Sequence, residues 1–410
     1  MTVSTPLFRL SGVSLAALAL AGAALLTSPH SALAQAKEPV KVGALFTTSG
    51  GGAQTGLAAL LGAKMAAAEI NAAGGILGRP VVLVQGDDAA DTTQAVTETK
   101  RMIYQEKVHI MLGPLYSATT IAAAKAVMAQ ETGVTYWSFG TSAQITVELA
   151  STLFTYGPGS NSLADAMLDY ALDIKKSKNL AILTDEIQNS IIVIERMKER
   201  MKERGFTNYT IEQFAANAAD MTPNLLRVKA KNPDFMLLSQ TFLTDTAVIL
   251  KNMDELNWNI QAAGNNGVAI SYPVIAKTAG PSAIKRLVAG VGIKPFTYCT
   301  GDALGTSDYA KFLVRLKAFE PKMDPATQIV NVAEMYDELY AAKAAAEGAG
   351  SLDGKKMTEW LENNSGKLKL LAAYPHLSKT NHFLALADSL TMVENMGDIR
   401  SDGMLKRAGC

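Results

Sequence analysis

From Pro39 onward, short apolar runs alternate with longer stretches in which apolar positions recur at a helical period. Residues 40–46, 81–85, 109–112 and 134–137 have strand length and are almost continuously apolar, and residues 54–73, 92–105 and 117–130 read as the helices between them. Gly74 and Gly75 close the first helix. Strands that are apolar on both faces, separated by amphipathic helices, predict a parallel sheet covered on both sides.

The alternation then restarts. Helices are predicted over 162–173, 190–204, 222–231 and 244–256, and strands over 179–184, 208–214, 234–239 and 260–263. Thr155, Tyr156, Gly157, Pro158 and Gly159 join the two runs. After Cys299 come helices over 307–319, 325–347 and 353–363, and a strand-rich tail over 385–394. No low-complexity linker interrupts the chain, so two α/β lobes joined by short ordered crossings are expected.

Ahead of this pattern, Arg9 precedes an apolar stretch from Val13 to Leu26, and Ala32, Leu33 and Ala34 form a small-x-small cleavage site. This predicts a cleaved export signal over residues 1–34, a mature chain starting at Gln35, and a periplasmic location. Ser28, Pro29 and His30 break the apolar run before it reaches the ~20 residues of a membrane span. No Cys follows the cleavage site, which argues against a lipid anchor. The remaining ~375 residues suit two domains rather than one core. Lys plus Arg and Asp plus Glu number 38 each, so there is no broad basic face for nucleic acid and the expected partner is small. Cys299 and Cys410 are the two cysteines, and the sequence leaves open whether they pair.

Candidate chemistry is sparse. The loop from Gly50 to Gly56 follows a strand and opens a helix, but it lacks the Lys-Ser/Thr of a phosphate loop and the glycine spacing of a dinucleotide fingerprint. It reads as a close-approach loop at the mouth of a ligand cleft. Asp87, Asp88 and Asp91 suggest strand-end and helix-cap roles more than a cation site. His109, His376 and His382 lack metal-pair spacing, and no nucleophile elbow is present. No cofactor, metal or catalytic residue is therefore expected. Two segments are sharper: Gly113 to Ser117 ends the third strand, and Ser138 to Ser142 ends the fourth, each expected to lead into a helix. Ser117 and Thr141 with nearby backbone N–H groups would suit a carboxylate, unless they only cap those helices.

At these residues the chain resembles the periplasmic leucine/isoleucine/valine-binding protein family, the type I solute receptors of ABC importers. The resemblance rests on Lys41 to Phe46 with Ser49-Gly50, on the run Glu69-Ile70-Asn71-Ala72-Ala73-Gly74-Gly75-Ile76-Leu77-Gly78-Arg79-Pro80, on Asp87-Asp88, and on Leu112-Gly113-Pro114 with Ser117 and Thr120. It continues more weakly over Asp234-Phe235, Gly264 and Gly267-Val268-Ala269. It implies an α/β fold of two doubly wound parallel-sheet lobes with crossing hinge strands, residues 35–157 with 296–373 forming one lobe and 158–295 with 374–410 the other. Closure around one ligand follows. By position, Ser117 and Thr141 would bind a ligand carboxylate, Tyr116 and Phe139 would flank it, and Thr55 would lie on the opening loop. Asn189, Thr241 and Asn266 would face it from the second lobe.

The family's usual acidic partner for a ligand ammonium is replaced by Asn266, which cannot neutralise a buried ammonium. The sequence reading is thus a monomeric, non-enzymatic periplasmic receptor that delivers a small carboxylate with an apolar or aromatic body to ABC permease subunits in the inner membrane. A branched-chain or other amino-acid receptor, a sensing subunit for a membrane receptor and an exported α/β enzyme are the rival readings.

Overall fold

The computed structural model describes residues 37–410 apart from 131, 242, 325 and 326, and for Gln188 and Asn189 only the backbone. The expected export signal and its cleavage site lie outside the described residues.

Five parallel strands build the first sheet: β1 (Val40–Phe46), β2 (Val81–Asp87), β3 (Ile110–Leu112), β4 (Thr135–Ser138) and β5 (Leu153–Thr155), in the order β2-β1-β3-β4-β5. Their crossovers are α1 (Ala53–Ala72), α2 (Thr92–Lys100) and α3 (Ser117–Ala123). Apolar runs become fully buried strands because helices cover both faces; β3 and β4 expose nothing.

Past β5 the chain enters α4 (Ser160–Asp169), β6 (Leu180–Asp185), α5 (Gln188–Glu203), β7 (Tyr209–Phe214), α6 (Thr222–Lys229) and β8 (Phe235–Gln240). It continues through α7 (Leu243–Glu255), β9 (Ala262–Gly264), α8 (Asn266–Ile270), α9 (Tyr272–Ala279) and β10 (Leu287–Ile293). The second passage carries β11 (Thr297–Tyr298) into α10 (Asp308–Phe319), α11 (Ile329–Ala349) and α12 (Gly354–Asn364), of which α11 and α12 pack on the first sheet. The chain then supplies β12 (Leu390–Glu394) and β13 (Leu405–Lys406). The second sheet runs β12-β10-β9-β8-β6-β7, parallel except for β12, and β11 pairs with β13. Both sheets belong to one compact unit, Glu38–Cys410.

The two Ala-rich helices meet face to face. On α1, Ala59, Ala63 and Ala66 are buried, and on α11, Ala341, Ala342 and Ala345. Gly62 lets the backbones touch: a β-carbon there would lie 2.2 Å from the Val332 carbonyl oxygen.

The structure departs from the sequence reading in several places. β5 and β10 were hidden, the first because three residues read as a connection. In β10, Gly290 and Gly292 dilute the apolar signal, yet a side chain at Gly290 would strike Met396 and Ala269. The helix expected from 325 starts at Ile329, because Gln328 has non-helical backbone and uses its side chain to bond Thr55 and Asn331. Residues 138–142 lead into turns; the next helix is α4. Cys299 and Cys410 form a disulfide.

Candidate functional site

The carboxyl edge of the first sheet is organised by hydrogen bonds between loops. Asp87 Oδ1 accepts from Thr48 N, and Asp88 Oδ1 accepts from Thr47 Oγ1 and Ala90 N, so the two acids hold the loop after β1. Burial raises the Asp88 carboxyl above its ordinary range, partly offset by these bonds. Asp91 caps α2 by accepting from Gln94 N at 2.7 Å. Tyr116 lies over the glycine loop, its hydroxyl donating to the Gly52 carbonyl at 3.4 Å.

Ser117 and Thr141 come together. Ser117 Oγ accepts the N–H groups of Thr141 and Ser142, each at 3.2 Å, which spends its acceptor sites and leaves its own O–H to donate. The expectation that those N–H groups face a ligand directly is therefore corrected: they face Ser117. Neither hydroxyl is a helix cap, since Tyr116 occupies the cap position of α3 and no helix follows β4. The Thr141 hydroxyl has no partner among the described residues.

This loop is fastened to the first crossing. The Thr141 carbonyl accepts from Ser160 N at 3.2 Å and from Ser160 Oγ at 2.8 Å, at the first residue of α4. Gly157 passes directly beneath, where a β-carbon would lie 2.3 Å from the Phe139 carbonyl oxygen. Phe139 itself is half-buried against the main core, and the Thr55 hydroxyl donates to Gln328 Oε1 at 2.9 Å.

In the second lobe, Thr241 is 4% exposed and its hydroxyl pairs with that of Thr246 at 2.7 Å. Its hydrogen-bonding capacity is thus partly used inside the lobe. Asn265 caps α8 through Val268 N and donates to the Ser239 carbonyl. Asn266, next to it, is turned toward the first lobe and lines a pocket of about 60 Å³ with Val330 and Glu334 of α11, Phe296 and Thr297 of the second crossing, and Tyr309 of α10. Neither Ser117 nor Thr141 lines that pocket. Asn189 lies in the first turn of α5.

The sequence reading missed Ser160, Gln328, Tyr309 and Glu334. Glu334, Asp337 and Glu338 are three acids within about one turn of an Ala-rich helix, and all are buried. That spacing was the available signal, since a run of acids on the buried face of a helix is uncommon.

The sequence profile of the periplasmic binding protein family matches residues 39–386, and the chain belongs to that family, in its leucine/isoleucine/valine-binding branch. A Leu/Ile/Val-binding protein homolog 8 of Brucella suis is 26% identical over 309 residues, covering 73% of this chain and 75% of that one. The branched-chain amino acid transporter substrate binding protein of Streptococcus pneumoniae, in complex with isoleucine, has a TM-score of 0.67 at 20% identity, over 90% of this chain and 98% of that one. A solute binding protein of an ABC transporter from R. palustris, in complex with 4-hydroxybenzoate, has a TM-score of 0.68 at 15% identity, over 90% and 96%. The fold is that of type I periplasmic binding proteins, and these relatives are solute-binding proteins rather than enzymes.

Proposed function

We propose that this periplasmic binding protein captures a small carboxylate, with an apolar or aromatic body, between its lobes and presents it to an ABC permease as a monomer. The observation that carries this reading is the Ser117–Thr141 pair. Two hydroxyls with donor capacity to spare sit side by side at the carboxyl edge of a parallel sheet, where ligands of open α/β folds bind. A carboxylate accepts from both, and charge-assisted bonds of this kind contribute about 1.5–3 kcal/mol each. In this reading Tyr116 and Phe139 flank the ligand, Thr55 lies on the opening loop, and the second lobe contributes Thr241 and Asn266 together with the first turn of α5. Ser160 links the loop to a crossing, so occupancy of the pair is coupled to lobe position.

An amino acid is the second reading, because one protein of this fold holds isoleucine and another 4-hydroxybenzoate. A thermal-shift screen of the purified protein separates the two. At a hundredfold excess over Kd a ligand that binds only the folded state stabilises it by about 2.7 kcal/mol. Aromatic and short-chain acids are expected to raise the melting temperature, while the matching amides do not. If amides and acids shift the protein equally, or α-amino acids alone do, the reading is overturned.

A further inference from the structure

The chain crosses between the two sheets a third time after α12, on its way to β12, and Phe383 of that passage bridges to Thr155 at the end of β5. Thr155 N donates to the His382 carbonyl at 3.0 Å, and Leu384 N donates to the Thr155 carbonyl at 2.9 Å. Thr155 begins the first crossing, so two passages are held side by side here. Thr155 Oγ1 also donates to the Gly140 carbonyl at 2.6 Å, which ties this junction to the loop after β4.

The side chain of His382 lies buried over the junction, its ring stacked on Phe154 with centroids 4.2 Å apart. Nδ1 is 3.0 Å from the Leu153 carbonyl oxygen, and Nε2 is 3.2 Å from Glu362 Oε1 of α12. Both neighbours are acceptors, whereas a neutral imidazole carries one N–H. The two contacts therefore need one proton more than a neutral ring and a carboxylate possess. Burial opposes a charge on the ring while the bonds to Glu362 and Leu153 favour it, and at this separation the proton belongs to the pair rather than to either residue.

The surroundings offer no substitute for that proton. From β5 the ring meets Leu153, Phe154 and Thr155, which do not titrate, and Trp137 of β4 packs behind Phe154. From α12, Glu362 is the charged group that acts on the ring. A pocket of about 340 Å³ adjoins His382 between the loop after β4 and the first and third passages; among the described residues that line it Glu148 is the acid, it is exposed, and no Lys or Arg takes part.

We propose that the His382–Glu362 pair is a proton-operated fastener of the hinge: with the shared proton the ring pins the third passage to β5 and α12 together, and loss of that proton to solvent turns one contact repulsive and frees the passage. The fastened geometry holds a proton that a solvated imidazole and carboxylate release above about pH 6.5. Fastening is therefore complete on the acid side and is lost as pH rises. Movement of one lobe against the other passes through these crossings, so lobe mobility becomes pH-dependent whichever ligand the cleft takes.

The test is amide hydrogen exchange of Thr155 and Leu384, read by NMR from about pH 5 to about pH 8 on wild type, Glu362→Gln and His382→Gln. Protection is taken relative to the buried strand β3, which removes any change in global stability. In wild type the relative protection of both amides is expected to fall about tenfold or more as pH rises, the effect of losing a hydrogen bond to a charged group. Glu362→Gln offers an amide N–H to Nε2, so a neutral ring makes both bonds and protection should stay high without a step. His382→Gln has no proton to share and should show no step either; if it does not fold, Glu362→Gln decides alone. Wild-type protection that follows β3 throughout, or a step of wild-type size in either variant, overturns the assignment.

Discussion

The Tyr156 hydroxyl donates to Asp337 Oδ2 at 2.6 Å across 181 positions of sequence, with both residues buried. It fixes the first crossing to α11, and the same carboxyl accepts from Leu371 N and Ala372 N in the chain that follows α12. One acid thereby anchors two separate segments near the hinge. Tyr156→Phe is expected to cost about 1–2 kcal/mol, and Asp337→Ala more, because it leaves three donors without their acceptor. Urea titration followed by far-UV circular dichroism measures both; equal losses would show that Asp337 does not act as a common anchor.

The buried acids make stability pH-dependent. Burial raises Glu334 to about 8 and Asp337 to about 7, in the latter case against its hydrogen bonds. A folded-state value above the unfolded one means that the fold holds protons the unfolded chain releases. Their stability contribution is therefore full below the ordinary carboxyl range near pH 4, and it is lost as pH rises through about 7 and 8. Melting temperature should fall from pH 5 to pH 8.5, and the fall should be smaller in Glu334→Gln. A wild-type profile that rises over this range would contradict the assignment.

Thr141→Val removes one hydroxyl while preserving shape and the backbone bonds to Ser117 and Ser160. Carboxylate affinity is expected to drop about tenfold, with stability within ~0.5 kcal/mol of wild type. Titration calorimetry with the best acid from the thermal screen checks this, and unchanged affinity would remove Thr141 from the site.

The Cys299–Cys410 disulfide closes a loop of 111 residues and secures β13 beside β11. Chain-entropy arguments give such a loop up to about 4.7 kcal/mol, with measured losses of about 2–5. Cys410→Ser should lower the melting temperature without changing ligand preference. Scanning calorimetry with and without reductant tests it: the variant should be insensitive to reductant, the wild type sensitive.

Gly62→Ala places a methyl 2.2 Å from the Val332 carbonyl oxygen and forces α1 from α11. A loss of about 1–3 kcal/mol is expected, although Ala is the better helix former. A stabilised variant would mean that the two helices do not meet this closely.

Local signals were enough for the alternating elements, the parallel sheets and the Ser117 and Thr141 positions, because strands buried on both faces must be apolar and strand-end hydroxyls stand out against them. Asp91 was legible as a cap because capping involves residues three apart. Tertiary structure alone decided the rest. Pairing of Cys299 with Cys410, the turn of Ser117 Oγ toward Thr141 N and Ser142 N, and the meeting of Asn266 with Glu334 each join residues far apart in sequence or on different elements. Such contacts depend on how sheets and helices are placed relative to one another, and a side chain in the second turn of a helix does not say which residue it will face until the opposite lobe is packed against it.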